Sequence, residues 1–189
     1  IYDLIESSLP SWRPGATRDA VVDFLAAAQD IPSGDRVAVF DNDGTLWTEK
    51  PQYPQEAFFG HQLGLAVRAD PTLAERAEYA ALIQRDHAAV AELGLPRVAM
   101  ALADLFTGMS ADEFAHRARS FIMEGRHPTL GRPYASGVYQ PMLELLEALR
   151  TLGFANFIVT GGGTEFVRAV SHQLYGIPPE GVVGTLIGY

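Results

Sequence analysis

The sequence predicts an α/β protein, in which a core of parallel strands is interrupted after its first strand by a helical module. Short apolar segments at residues 36–41, 154–160 and 182–189 are typical of strands buried in a parallel sheet. Residues 54–125, between the first two segments, are rich in alanine and poor in β-branched residues, which favours helices. Strands that alternate with helices in this order form a parallel sheet.

The composition indicates a folded globular chain with an acidic surface. The 189 residues are 48% hydrophobic, which is enough for one full core. The formal net charge is -9 and Lys50 is the only lysine, so we expect neither nucleic acid nor an anionic membrane as a partner. Without cysteine the chain has no disulfide, thiolate nucleophile or sulfur-bound zinc, and either a cytoplasmic or a periplasmic location in a bacterium is compatible with it.

The N-terminal part is predicted to form one helix and then a strand. Thr17 is a suitable helix cap, and apolar residues follow at helical spacing until a break at residues 31–34. The next segment, 36–41, is continuous and apolar, so we expect a strand buried on both faces, with Asp41 at its carboxyl end.

Proline and glycine divide the helical module into about four short helices. The last of them begins at Ser110, and Glu113 stands where a capping box requires a glutamate. After the module, Pro141 suits the first turn of another helix, and residues 154–160 form the second predicted strand.

The second strand leads through three glycines into a further helix. Gly161, Gly162 and Gly163 precede that helix, which Gly176 is expected to end. The third predicted strand covers residues 182–189, and we find no internal repeat and no low-complexity tract.

Two predicted strand ends carry polar groups. Asp41 and Asp43 follow the first strand, and Thr160 with its glycines follows the second. Ligands of open parallel sheets bind beyond the carboxyl ends of the strands. Two carboxylates about 5 Å apart repel by roughly 3 kcal/mol at an effective dielectric constant near 20, so we expect a compensating cation. Backbone N–H groups at the glycine turn, with the dipole of the helix behind them, favour an anion.

This combination of acids and an anion site suits phosphoryl transfer. Asp41 can attack phosphorus as a covalent nucleophile, since a carboxylate needs no prior deprotonation. Asp43 can protonate the leaving oxygen and later deprotonate a water molecule. A hard divalent cation with oxygen ligands, Mg²⁺ above all, would bridge the carboxylates and the phosphate.

The motifs "DNDGTL" and, much later, "IVTGGG" resemble motifs I and II of the haloacid dehalogenase (HAD) superfamily. The helical module resembles a type C1 cap, and "FIVTGGGTEF" resembles the phosphoserine phosphatase-like branch. The resemblance implies a Rossmann-like core, Asp41 as nucleophile and Asp43 as acid and base. It also implies Mg²⁺ bound by the Asp41 carboxylate and the Asp43 main-chain carbonyl, and a phosphate held by Thr160 and the Gly161 N–H. The expected partner is a small phosphorylated substrate, and the oligomeric state is open.

On this basis we expect an HAD-like core formed by residues 1–48 and 133–189, and a cap formed by residues 49–132. The lysine of motif III and the acidic pair of motif IV are missing from the chain, and we expect them beyond Tyr189 in a longer protein. Phosphoserine phosphatases carry a cap glutamate where this chain has Lys50, which argues against phosphoserine as the substrate.

Structural explanations of the same residues are weaker. Asp43-Gly44 could form a hairpin turn, but no alternating strand follows it. The glycine spacing fails for an EF-hand, and Phe166 stands where a dinucleotide-binding loop needs its third glycine. None of the five histidines has a metal-ligand spacing; His127, between Arg126 and Arg132, is interpreted as part of a solvated loop rather than as a substrate contact.

Two aromatic sites are interpreted as packing rather than recognition. Trp47 is expected to pack behind the first motif, and Phe58 and Phe59 are expected to form the cap's own core.

Two other functions remain open alongside a Mg²⁺-dependent phosphomonoesterase. The first is a non-catalytic module that binds phosphate or a partner and dispenses with motifs III and IV. The second is carbon–halogen cleavage by Asp41, which Asp43 argues against because a halide needs no proton when it leaves.

Overall fold

The computed structural model describes residues 2–186, which form nine α-helices and three β-strands. The helices are α1 (Tyr2–Ser7), α2 (Ala16–Ala27), α3 (Pro54–Ala69), α4 (Ala77–Ile83), α5 (His87–Leu93), α6 (Leu95–Asp104), α7 (Ala111–Glu124), α8 (Gln140–Thr151) and α9 (Thr164–Tyr175). The strands are β1 (Val37–Phe40), β2 (Ala155–Gly163) and β3 (Val182–Thr185). No helix among these is both long and apolar enough to cross a membrane.

The three strands form one parallel sheet in the order β1-β2-β3. Phe40 is paired with Ile158, and Val159 with Val183. The path from β1 to β2 runs through helices α3 to α8, and the path from β2 to β3 runs through α9. The α/β fold class predicted from the sequence is confirmed.

Several local signals act as predicted. The Ser110 hydroxyl accepts a hydrogen bond from the Glu113 N–H at 3.1 Å, which caps α7. Pro141 lies in the first turn of α8, and Gly176 ends α9 with a left-handed φ of 67°. Helix α2, by contrast, begins two residues earlier than predicted, at Ala16 with Gly15 as its cap, so Thr17 is not the cap.

Strand boundaries differ from the prediction at the glycines. β2 continues through residues 161–163, where a register shift between Val159 and Gly163 carries its pairing to Thr185. β3 ends at Thr185, and residues 187–189 of the third predicted strand lie outside the described residues.

The expectation that β1 is buried on both faces is wrong. Its Val37 and Val39 side chains are 53% and 58% exposed, because the helices in residues 2–186 cover only the opposite face of the sheet. On that opposite face, Ala38 packs beside α2, and Phe40 packs into the main hydrophobic cluster. The strand has one neighbour, β2, within the described part of the chain.

Five helices, α3 to α7, form the module between β1 and α8, where about four were expected. We call them the helical insert. Phe58 of α3 is fully buried, with ring centroids 6.0 Å from Phe106 and 5.4 Å from Phe166 of α9. Arg119 of α7 donates a hydrogen bond from Nε to the Ala169 carbonyl of α9 at 3.0 Å.

These contacts join the insert to the sheet-bearing part of the chain through one continuous hydrophobic cluster. Phe58 packs against Phe106 and Phe114 of the insert, as expected, and its ring also contacts Phe166 of α9. The division of the chain after residue 48 and after residue 132 stays a prediction.

We expect Phe58→Ala to lower the free energy of unfolding by about 3–5 kcal/mol, because it opens a cavity at the contact between insert and α9. Urea denaturation followed by circular dichroism measures this loss. Phe24→Ala is the matched control, since the Phe24 side chain is 51% exposed. Equal losses in the two variants would contradict the role given to Phe58.

Candidate functional site

The loop after β1 is a compact turn built around one carbonyl. The Asn42 carbonyl accepts hydrogen bonds from the N–H groups of Thr45 and Leu46 at 3.1 and 2.8 Å. Gly44 adopts a φ of 76°, a conformation that side chains disfavour, and donates its N–H to the Trp47 carbonyl at 2.9 Å. The turn fixes the backbone on which Asp41 and Asp43 stand.

Asn42 anchors this turn to α9. Its side chain is fully buried, and its Oδ1 accepts a hydrogen bond from the Tyr175 hydroxyl at 3.0 Å. Burial, and to a lesser degree the nearby Asp43 carboxylate, raises the pKa of Tyr175 well above its usual value, so this hydroxyl stays a donor. The two aspartates flank the buried asparagine: Asp41 is exposed and Asp43 is half-buried.

The Asp43 carboxylate is held by Trp47. The indole Nε1 donates a hydrogen bond to Asp43 Oδ1 at 2.7 Å, and the Trp47 side chain is 2% exposed. Burial raises the pKa of Asp43; the Trp47 hydrogen bond opposes this, while Asp41 and Glu49 raise the pKa further. A carboxyl group with a raised pKa keeps its proton to higher pH, which suits a general acid.

At the second strand end, two of the glycine N–H groups already have acceptors. Gly162 donates to the Thr160 hydroxyl oxygen at 3.0 Å, and Gly163 donates to the Gln55 Oε1 at 2.8 Å. The expectation of free backbone N–H groups is thus wrong for Gly162 and Gly163, because side chains of the protein itself accept their hydrogen bonds. Thr160 is buried and Gly161 is exposed.

The two strand ends converge on one point above Gly162. A Cβ atom placed on Gly162 would lie 3.1 Å from Gln55 Oε1, 3.4 Å from Thr160 Oγ1 and 3.8 Å from Asp43 Oδ2. This convergence follows from the pairing of Phe40 with Ile158, which places residues 41–43 beside the end of β2. The structure therefore brings Asp43 and Thr160 together, with Asp41 two residues before Asp43 on the same turn.

A magnesium ion fits the kind of ligands found here. The Asp41 carboxylate is exposed, and the Asp43 main-chain carbonyl accepts no hydrogen bond from residues 2–186. Mg²⁺ commonly takes one or two protein carboxylates and fills its other positions with water and phosphate oxygens. No cluster of three or more acidic or histidine side chains suited to a metal occurs in the described part of the chain. The protein would thus supply only part of the coordination shell.

Sequence reasoning missed two site residues. Trp47 packs against Phe166, as expected, but its position four residues after Asp43 also allows the indole to reach back across the turn and bind the carboxylate. Gln55 gave no signal, because its partner Gly163 is 108 residues away along the chain.

The interpretation of His127 as part of a solvated loop is wrong. Its side chain is 1% exposed, and Nδ1 accepts hydrogen bonds from the N–H groups of Thr129 and Leu130 at 3.3 and 3.2 Å. The imidazole thereby holds together the loop that follows α7, while the neighbouring Arg126 and Arg132 are exposed.

We expect Trp47→Phe to raise the pKa of Asp43, because it removes the hydrogen bond that stabilises the carboxylate. Carboxyl ¹³C NMR of aspartate-labelled protein during a pH titration measures the change. Trp12→Phe is the matched control, since Trp12 Nε1 donates its hydrogen bond to the Pro141 carbonyl instead. An Asp43 titration equal in wild type and Trp47→Phe would show that the bond has no influence.

Comparison with known proteins gives the family of the chain. No curated protein matches the chain. The family model of the haloacid dehalogenase-like hydrolases matches residues 38–187, a span that contains both strand ends and the whole helical insert. The narrower resemblance to phosphoserine phosphatases stays a prediction. The chain belongs to the haloacid dehalogenase-like hydrolase family.

Proposed function

We propose that this protein hydrolyses a small phosphomonoester with the help of Mg²⁺, through an aspartyl-phosphate intermediate, an acyl phosphate formed on Asp41. The observation that carries the proposal is the convergence of Asp43, Thr160 and Gln55 on one point beside Gly162. The exposed Asp41 is on the same turn as Asp43, two residues earlier. The membership in a hydrolase family supports it.

In the first step, an Asp41 carboxylate oxygen attacks phosphorus. The new oxygen–phosphorus bond forms while the bond from phosphorus to the leaving oxygen breaks, and Asp43 donates its proton to that oxygen. The raised pKa of Asp43 keeps a larger share of this group protonated before the step.

In the second step, Asp43 removes a proton from water, whose oxygen attacks phosphorus. The bond between phosphorus and Asp41 breaks, which releases inorganic phosphate and restores the Asp41 carboxylate. Trp47 holds Asp43 Oδ1 throughout, so Oδ2, the oxygen on the Gly162 side, is the one that exchanges protons.

Thr160 and Gly161 are proposed to hold the phosphoryl group. The Thr160 oxygen accepts the Gly162 N–H, which turns the hydroxyl proton away from Gly162 and leaves it available to a phosphoryl oxygen. The Asp41 carboxylate and the Asp43 carbonyl would hold Mg²⁺, whose charge offsets that of the phosphate and of the two aspartates.

The helical insert is proposed to shield the phosphorylated aspartate from bulk water and to select the substrate. Its first helix, α3, already contacts the glycine turn through Gln55. The proposed insert boundaries are those expected from the sequence, residues 49–132.

A non-catalytic phosphate-binding module is the second candidate. One observation favours it: after Thr160 the chain has no lysine, and its only acidic residues there, Glu165 and Glu180, are exposed and outside the strands. Such a module would bind phosphate without turning over an ester.

We expect Asp41→Asn to reduce hydrolysis of 4-nitrophenyl phosphate in the presence of Mg²⁺ by more than about 1,000-fold, since an amide is a poor nucleophile. Release of nitrophenolate measures the rate. Asp23→Asn, an exposed substitution on α2, is the control for loss of one negative charge. Normal turnover by Asp41→Asn would contradict the nucleophile, and wild-type phosphate binding without turnover would favour the non-catalytic module.

If Asp43 protonates the leaving oxygen, its loss should matter more for a leaving group that needs a proton. We expect Asp43→Asn to slow hydrolysis of an alkyl phosphate by about 100- to 10,000-fold, because an alkoxide needs a proton as it leaves. The loss with 4-nitrophenyl phosphate should be smaller, since nitrophenolate is a stable anion. Comparing kcat for the two esters in wild type and variant measures the difference. Equal losses for the two esters would rule out proton donation by Asp43 to the leaving oxygen.

A further inference from the structure

The carboxylate of the proposed nucleophile is held by a main-chain group. The Asn42 N–H donates a hydrogen bond to Asp41 Oδ1 at 2.8 Å. No residue in the range 2–186 donates a hydrogen bond to Asp41 Oδ2. The two carboxylate oxygens therefore differ, since Oδ1 is fixed by the neighbouring residue and Oδ2 is left for the attack on phosphorus.

The orientation of Asn42 depends in turn on its side chain. The carboxamide is fully buried, and its Oδ1 accepts the hydrogen bond from the Tyr175 hydroxyl at 3.0 Å. Its Nδ2 has no hydrogen-bond partner in the described part of the chain, so among residues 2–186 the Tyr175 hydroxyl is the sole partner of this carboxamide. A buried amide without any partner is costly, and loss of the hydroxyl would therefore favour another orientation of the Asn42 side chain.

Tyr175 itself has a fixed position in the fold. It is the last residue of α9, and its side chain is 3% exposed within the main hydrophobic cluster. Arg150 of α8 donates a hydrogen bond from Nη2 to the Tyr175 carbonyl at 2.9 Å. The end of α9 thus presents a rigidly held hydroxyl donor to the turn after β1.

We propose that Tyr175 is a positioning residue for the nucleophile, which acts through Asn42 to hold the Asp41 carboxylate. The connection runs from the Tyr175 hydroxyl to the Asn42 side chain, and from the Asn42 N–H to Asp41 Oδ1. This inference rests on the proposed function, because it assigns a residue that aligns the attacking group. Tyr175 does not contact the phosphoryl group in this assignment, so its loss slows the reaction without weakening phosphate binding.

The assignment gives both ends of α9 a part in the site. Its first residue, Thr164, follows the glycines of the proposed phosphoryl site, and its last residue, Tyr175, anchors the nucleophile. One helix thereby connects the group that attacks with the groups that hold phosphate.

The test uses single and double variants of the whole protein. Tyr175→Phe removes the hydroxyl and keeps the ring, and Asn42→Leu removes the acceptor and keeps the approximate shape of the side chain. Tyr79→Phe is the matched control, because the Tyr79 side chain is 2% exposed and its hydroxyl donates to the Ala101 carbonyl within the insert at 2.6 Å.

Four measurements are made on each variant. Steady-state kinetics with 4-nitrophenyl phosphate and Mg²⁺ give kcat and KM, and calorimetry gives the Kd of inorganic phosphate. Thermal denaturation gives the Tm, and NMR gives the hydrogen-exchange rate of the main-chain N–H of residue 42, which does not depend on turnover.

We expect Tyr175→Phe and Tyr79→Phe to lower the Tm equally, by about 2–4 °C, because each loses one buried hydrogen bond. Tyr175→Phe should also lower kcat by about 10- to 100-fold, while KM and the phosphate Kd stay within about twofold of wild type. Exchange of the Asn42 N–H should become about 10-fold faster in Tyr175→Phe. Tyr79→Phe should leave kcat, KM, Kd and this exchange rate unchanged.

The double variant tests whether Tyr175 acts through Asn42. Tyr175→Phe combined with Asn42→Leu should lower kcat no further than the more affected single variant, because both changes break the same hydrogen bond. Its Tm should exceed that of either single variant, since apolar groups then replace both partners of the bond.

Three results would overturn the assignment. If the Asn42 exchange rate or kcat of Tyr175→Phe equals that of Tyr79→Phe, the Tyr175 hydroxyl serves stability alone. If the losses in kcat multiply in the double variant, the two residues act separately. If KM and the phosphate Kd rise while kcat is unchanged, Tyr175 acts on binding and not on the nucleophile. A wild-type protein without turnover would contradict the proposed hydrolysis, while the exchange rates still decide whether Tyr175 holds the Asn42 N–H.

Discussion

The parallel pairing of β1 with β2 is the constraint on which the site depends. With Phe40 opposite Ile158, the chain leaves both strands at the same edge of the sheet, and the acidic turn meets the glycine turn there. Side chains then fix the acidic turn: Tyr175 anchors Asn42 and Trp47 holds Asp43. A shift of one residue in this register would move the acidic turn away from the glycine turn.

The helical insert is part of the same packed body as the strands. The cluster around Phe58 and Phe166 is continuous across the two, and Arg119 adds a hydrogen bond to the α9 backbone. Large motions of the insert would expose buried aromatic rings to water, so the packing holds the insert in place. The insert therefore limits the site by its fixed shape. Small adjustments of α3 remain compatible with the packing.

Signals that act over a few residues predicted the structure well, as the Ser110 cap and the left-handed Gly176 show. The exposure of β1 could not be predicted, because burial of a strand depends on which elements cover it. The sequence predicts the site residues Asp41, Asp43 and Thr160, because each comes at or just after the end of an apolar strand. Their roles stay predictions. Gln55 required the folded chain, since only tertiary structure brings α3 to the glycine turn.

The close approach of Gln55 to Gly163 has a consequence for sequence variation. A Cβ atom at position 163 would come within 2.6 Å of Gln55 Nε2, so alanine there would push the end of the Gln55 side chain aside. The displaced carboxamide would lose its alignment with the residue 163 N–H. A contact between α3 and the glycine turn thus depends on the absence of a side chain at a position 108 residues further along the chain.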